Sequence, residues 1–286
     1  MKIIPTIVVF AVGFSLLTSC GTNKETVTTS GTIDVPEVTG EFKSEILKIG
    51  KSDAILLETE NYTVVIDAGE KSDGKKIVSR LEESGIEKID YLIITHFDQD
   101  HVGGVPKILD GVDVGAIIVP DYEGNNSEYE DYIEAVNENG ITPTVLKETR
   151  VMTLDDTVFS LYPPKQESYD ESDNDYSIVV SVVHGENRLL FAGDCETERL
   201  AELPEQLGDM EHIFLKVPHH GRYCDGMSEF IENVKPEYAV ITCNNKAPAD
   251  AEVLDILENI GCEVYQTVNG AVSVVSDGKD ITVNQE

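Results

Sequence analysis

The sequence predicts one α/β domain with mixed sheets over residues 41–286; its arrangement as a four-layer αββα sandwich rests on the site motifs and not on periodicity. Three observations lead there. Apolar segments of strand length alternate with longer segments of helical period. This strand-then-helix rhythm runs twice along the chain, and two such halves point to two sheets packed face to face with helices outside. No second Gly/Ser/Pro-rich linker divides the stretch, which is long enough for one sizeable core.

The elements follow in order. Segments 46–49, 54–58 and 63–66 alternate and are bounded by the turn-forming Gly50-Lys51-Ser52-Asp53 and Glu60-Asn61, which marks them as strands. A helical period covers 75–83, a buried strand 91–94, and a strand at 116–119 follows a helix-like stretch; a second helix is expected at 127–137. The second half predicts strands at 157–162, 177–183 and 188–191, a helix at 196–206, and strands at 212–217 and 238–242. A helix at 249–260 and strands at 263–266, 271–275 and 281–283 complete it. His184 precedes Gly185-Glu186-Asn187 at a hairpin turn and is expected on the surface.

The amino-terminal residues read differently. Lys2 precedes an apolar run from Ile3 to Leu17 and then small residues up to Cys20, the layout of a secretory signal over residues 1–19. The run is shorter than the roughly 20 apolar residues of a bilayer crossing, and Pro5 and Gly13 interrupt it. Leu17-Thr18-Ser19-Cys20 resembles the bacterial lipobox, which implies a lipid on Cys20 and an exported, membrane-anchored protein. Residues 20–40, rich in Thr, Gly and acids without an apolar period, then read as a flexible tether.

The chain carries 21 Lys plus Arg against 54 Asp plus Glu, a net charge of -33. A field of that sign repels phosphate polymers at long range and disfavours a general nucleic-acid surface, although bound divalent ions reverse it locally. It favours a small-molecule or cell-wall-derived substrate. Cys195, Cys224, Cys243 and Cys262 are too sparse for a disulfide-held scaffold and lack the close pairs of a zinc ribbon.

The chemistry concentrates in Thr95-His96-Phe97-Asp98-Gln99-Asp100-His101-Val102-Gly103-Gly104, directly after the expected strand 91–94. Two histidines and two carboxylates within six residues need partners or a metal to be tolerated together. Their alternation lets His96 and Asp98 serve one ion while Asp100 and His101 serve a second. Two ions roughly 3.5 to 4 Å apart polarise a scissile group and activate the attacking water.

This run resembles the His-x-His-x-Asp-His motif of the metallo-β-lactamase fold superfamily, with Asp98 where the second histidine usually stands. The Asp form followed by Gly-Gly resembles the hydrolase-like domain of ComEC-type DNA-uptake competence proteins and related stand-alone lipoproteins. Further segments match in order. Val64-Val65-Ile66-Asp67-Ala68-Gly69 resembles the family's early strand, which implies that Asp67 orients a ligand. Leu190-Phe191-Ala192-Gly193-Asp194 resembles the strand delivering the metal-bridging carboxylate, Asp194. Leu215-Lys216-Val217-Pro218-His219-His220-Gly221 resembles the last ligand motif; one of His219 and His220 then ligates and the other touches substrate or donates a proton.

The departures also matter. Where the family places the third histidine of its first site, this chain has Asn174 or Asp175, of which Asp175 is the candidate ligand. An oxygen-rich first site makes manganese an alternative to the zinc that the resemblance implies. Arg222 stands where relatives carry serine and, with Asn244, is a candidate substrate contact. The resemblance implies a dinuclear metal-dependent hydrolase with Asp100, His219 and His220 in catalysis. The carboxylate-rich ligand set favours phosphoester or phosphodiester cleavage by metal-activated hydroxide. The alternatives are an acyl hydrolase acting on lactones or β-lactams and a non-catalytic metal-holding surface lipoprotein.

Overall fold

Successive side chains along residues 54–57 and 64–66 serve different cores: Ile55, Leu57, Val64 and Ile66 enter one cluster, Ala54, Leu56 and Val65 another. A period of two with both faces apolar is the mark of strands covered on both sides. The computed structural model describes residues 25–28, 35–169 and 173–286. The expected signal segment and Cys20 lie outside the described residues.

The first half contains β1 (Glu25–Thr28), β2 (Phe42–Ile46), β3 (Ile55–Glu58), β4 (Thr63–Ile66), α1 (Gly74–Glu83) and β5 (Lys88–Ile93). The short helices α2 (Gln99–Val102) and α3 (Val105–Gly111) follow, then β6 (Asp113–Pro120), α4 (Ser127–Glu138) and β7 (Thr144–Leu146). The second half contains β8 (Arg150–Leu154), β9 (Thr157–Tyr162), β10 (Val179–His184), β11 (Asn187–Phe191), α5 (Thr197–Leu207), β12 (Phe214–Lys216) and α6 (Met227–Val234). It ends with β13 (Tyr238–Ile241), α7 (Ala251–Asn259), β14 (Glu263–Gln266), β15 (Val272–Ser276) and β16 (Ile281–Gln285).

The strands form two eight-stranded sheets, ordered β16-β15-β2-β3-β4-β5-β6-β7 and β1-β8-β9-β10-β11-β12-β13-β14. Between them lies a core that includes Phe42, Leu57 and Ile93 from one sheet and Phe159, Leu189 and Phe214 from the other. Helices α1, α3 and α4 cover the outer face of the first sheet through Ile77, Leu81, Val105, Ile108 and Tyr132. Helices α5, α6 and α7 cover the second through Leu200, Leu203, Phe230, Ile231 and Val253. The result is the expected αββα sandwich. Ile77 and Leu81, one helical turn apart on α1, are fully buried, each worth roughly 1.5–3 kcal/mol of hydrophobic stabilisation.

Some elements differ from the sequence reading. The strand expected at 46–49 lies at Phe42–Ile46 instead: Phe42, Ser44 and Ile46 are buried, Lys43 is exposed, and after Ile46 the chain curls, with Ile49 N bonded to Leu47 O. Within the expected tether, Glu25–Thr28 pairs antiparallel with β8, as its β-branched Thr-Val-Thr run permits. Strands β7 and β8 and helix α6 are additional. His184 is a correction: it is fully buried, its Nδ1 2.8 Å from Ser276 Oγ, because β15 packs its end over the β10–β11 hairpin.

What positions the site is the parallel part of each sheet. Strands β4, β5 and β6 run parallel, as do β11, β12 and β13. Loops at the carboxyl ends of such strands are where open α/β sheets place their ligand crevices.

Candidate metal centre

The carboxyl ends of β4, β5, β11, β12 and β13 deliver the polar groups. Asp67 follows β4, His96 and Asp98 follow β5, and Asp100 and His101 lie on α2. Asp194 follows β11, His219 and His220 lie in the 3-10 turn Pro218–Gly221 after β12, and Thr242 follows β13. Close backbone approach makes this convergence possible. A Cβ on Gly104 would stand 1.9 Å from Ala68 O, so only glycine lets α2 and α3 pack on the Asp67 turn. Asp67, His219 and His220 have positive φ values of 60°, 46° and 53°, backbone strain gathered at one place.

The cluster centres on His220 and Asp194. His220 Nε2 lies 3.0 Å from Asp194 Oδ2 and 3.2 Å from Asp100 Oδ2, and His101 Nε2 lies 3.2 Å from Asp194 Oδ2. The His96 ring is tilted against His101 with centroids 4.1 Å apart, and its Nε2 is 4.0 Å from Asp98 Oδ2 at the half-exposed mouth. Lys51, half-exposed on the loop between β2 and β3, donates to Asp100 Oδ2 at 2.6 Å.

The electrostatics follow from burial and charge. Burial alone would raise the Asp100 and Asp194 carboxyls; the nearby His101 and His220, and for Asp194 also Lys216, overcome it and hold both well below the usual carboxylate range. Burial opposes the charged His101, yet Asp194 and Asp67 raise it well above the usual histidine value. Burial and the neighbouring His101 push His96 well below it, which leaves a neutral imidazole.

These residues fit a divalent cation. The Nε2 atoms of His96, His101 and His220 and the Oδ1 of Asp194 are buried without a well-formed hydrogen bond, those of His101 and His220 meeting only carboxylate oxygens, an arrangement that a cation between them would satisfy. Two overlapping triads have their donor atoms within 4.8 Å of one another: His96, His101, Asp194 and Asp100, His101, His220. Mixed imidazole and carboxylate donors suit zinc and manganese alike. Asp53 and Asp67 also stand nearby, but their oxygens are committed. Asp67 accepts from Thr95 N and Thr95 Oγ1 at 2.8 Å each and faces His101 Nδ1 at 2.8 Å.

Other expected residues stand elsewhere. His219 turns away from the cluster, its Nδ1 2.8 Å from Glu196 Oε1 and its Nε2 3.4 Å from Asn174 Nδ2. Asp175 is not brought to the cluster: its Oδ1 accepts from Glu196 N at 2.8 Å and Arg199 N at 3.1 Å and so anchors the start of α5. Arg222 pairs with Asp250 Oδ1 at 2.9 Å on the surface, and Asn244 closes its own turn by accepting from Lys246 N and Ala247 N. The four cysteines of the domain are free thiols. Sequence reading missed Asp53, Lys216 and Thr242, all buried beside the cluster.

Residues 47–241 match the sequence model of the metallo-beta-lactamase superfamily. The chain belongs to the metallo-β-lactamase superfamily. The chain is similar to ComE operon protein 3 of Bacillus subtilis, 27% identical over 259 residues that cover 83% of this chain and 33% of that protein. Recombination protein 2 of Haemophilus influenzae is 24% identical, with 81% and 28% covered. Competence protein ComA of Neisseria gonorrhoeae is 28% identical, with 72% and 27% covered. The chain thus spans about a third of the length of these relatives. Among solved structures, the metallo-β-lactamase fold protein YhfI from Bacillus subtilis superposes with a TM-score of 0.51 at 9% identity, covering 79% of this chain and 96% of that one. A CmlA β-hydroxylase variant superposes with a TM-score of 0.52 at 13% identity, covering 80% and 53%. At these identities the likeness concerns the fold alone. Among the described residues no helix is long and apolar enough to cross a membrane.

Proposed function

We propose that this protein is a metal-dependent hydrolase of phosphoester or phosphodiester bonds, acting at the extracytoplasmic face of the membrane. The observation that carries the reading is the convergence of the Nε2 atoms of His96, His101 and His220 with the carboxylates of Asp100 and Asp194 in one buried cluster. His96, His101, His220, Asp100 and Asp194 would hold the ions, with Asp98 at the mouth. Bound divalent ions supply Lewis-acid activation of water and of the ester oxygens. The remaining work falls to the chain itself. Lys51 presents an ammonium at the edge of the cluster, suited to a phosphate oxygen. His219, a quarter exposed beside Glu196, would be the proton donor for a substrate that extends past the cluster.

The carboxylate-rich donor set favours phosphoryl over acyl chemistry, and the relatives' names, which refer to competence and recombination, favour a phosphodiester. The net charge of -33 works against long-range capture of DNA, so a short or locally presented substrate fits better. The lipobox-like Leu17-Thr18-Ser19-Cys20 supports membrane anchoring. The test is turnover of bis(p-nitrophenyl) phosphate with zinc, manganese or chelator, by the wild type and by Asp100→Asn and Asp194→Asn. Metal-dependent turnover lost in both variants is expected; turnover retained in both sinks the assignment.

A further inference from the structure

We propose that Lys216 is a positioning residue of the metal centre, acting through a buried circuit of Lys216, Asp53, Thr242 and His220 that fixes which nitrogen of His220 faces the cluster. The inference rests on the metal-dependent reading above.

Lys216 ends β12 and its side chain is fully buried. A lysine is almost never enclosed in this way unless paired. Its Nζ lies 2.5 Å from Asp53 Oδ2, 3.3 Å from Gly193 O and 3.6 Å from Asp194 Oδ1. One ammonium therefore ties the loop between β2 and β3 to the loop that carries Asp194.

Asp53 passes the constraint on. Its Oδ2 faces Lys216, and its Oδ1 accepts the Thr242 hydroxyl at 2.6 Å. That bond uses the only proton of the hydroxyl. Thr242 Oγ1, 3.0 Å from His220 Nδ1, is then left to accept, so Nδ1 carries the hydrogen and donates it to Thr242. With Nδ1 fixed as the donor, Nε2 is the nitrogen that would ligate an ion held beside Asp100 and Asp194. Asp67 acts on His101 Nδ1 directly; on His220 the same task runs through a hydroxyl, with the carboxylate behind it held by Lys216. If Asp53 turned, the Thr242 hydroxyl could donate to Nδ1 instead and place the hydrogen of His220 on the wrong nitrogen.

The experiment measures zinc affinity by chelator competition and the visible spectrum of the cobalt-substituted full chain. Thr242→Val removes only the hydroxyl and should weaken zinc binding about 10–100-fold and change the cobalt spectrum. Thr242→Ser keeps the hydroxyl and should restore both. Lys216→Met should weaken binding similarly, and the Lys216→Met/Thr242→Val double variant should be no weaker than its worse single member, as one circuit requires. Wild-type affinity and spectrum in Thr242→Val overturn the circuit, and so do multiplying losses in the double variant. If Lys216→Met does not fold, the valine and serine variants decide alone. A wild type that binds neither zinc nor cobalt overturns the metal-dependent reading and the circuit together, whereas binding by wild type and Thr242→Val alike overturns the circuit only.

Discussion

His101 Nδ1 lies 2.8 Å from Asp67 Oδ2, with both side chains fully buried and Asp67 at a φ of 60°. The chain thus enters the left-handed region immediately after β4, which brings a carboxylate behind a candidate ligand. All three groups facing Asp67, namely Thr95 N, Thr95 Oγ1 and His101 Nδ1, are placed to donate. Asp67→Asn tolerates the φ but sets an amide NH2 against a donor. Zinc affinity by chelator competition should fall about 10–100-fold. An unchanged affinity would show that Asp67 serves only the turn.

The two neighbouring histidines separate cleanly in space. His220 contacts Asp100 and Asp194, while His219 contacts Glu196 and Asn174. His220→Ala should reduce the bound metal measured by elemental analysis. His219→Ala should keep the wild-type metal content and slow turnover by about 10²–10⁴-fold if it serves as a proton donor. Equal metal loss in both variants would refute this division of roles.

Asp175 gives a prediction of the opposite kind. Because its Oδ1 accepts two backbone N–H groups at the start of α5, we infer that it serves the helix as an anchor. Asp175→Ala should cost about 1–2 kcal/mol, a few degrees of Tm in calorimetry, and leave metal content unchanged. Lost metal with unaltered Tm would return Asp175 to the ligand set.

These contrasts show what the sequence disclosed. Apolar runs of strand length disclosed most of the strands, and helices reveal themselves by spacing, as Ile77 and Leu81 do on α1, whereas the pairing into two sheets came with the site motifs. Helix α6 carries the same signal in Met227, Phe230, Ile231 and Val234, although the sequence reading places no helix there. The ligands were visible because histidines and carboxylates crowd into residues 96–101. Asp53 and Lys216 were not: each is a single charge in an otherwise ordinary stretch, and only the fold brings Nζ to within 2.5 Å of the carboxylate. Between Asn174 and Asp175 the sequence favoured the charged residue. The structure uses that charge for a helix start.

Away from the cluster, His212 makes stability depend on pH. Its Nδ1 donates to Met210 O at 2.8 Å and its Nε2 lies 2.8 Å from Ser181 Oγ, whose hydroxyl satisfies the neutral ring by donating to it. Burial pushes its pKa from 6.5 down to about 4. Below pH 6.5 the unfolded chain takes up a proton that the folded ring refuses. This contribution is fully present above pH 6.5 and is lost as the pH falls toward 4, reaching about 3 kcal/mol. His212→Asn keeps a donor to Met210 O without a titrating ring. Urea unfolding at about pH 7.5, 5.5 and 4.5 should show a destabilisation by the variant at the highest pH that shrinks, or reverses, at the lowest. Parallel stability profiles for the two proteins would mean that the ring is free to charge in the folded state.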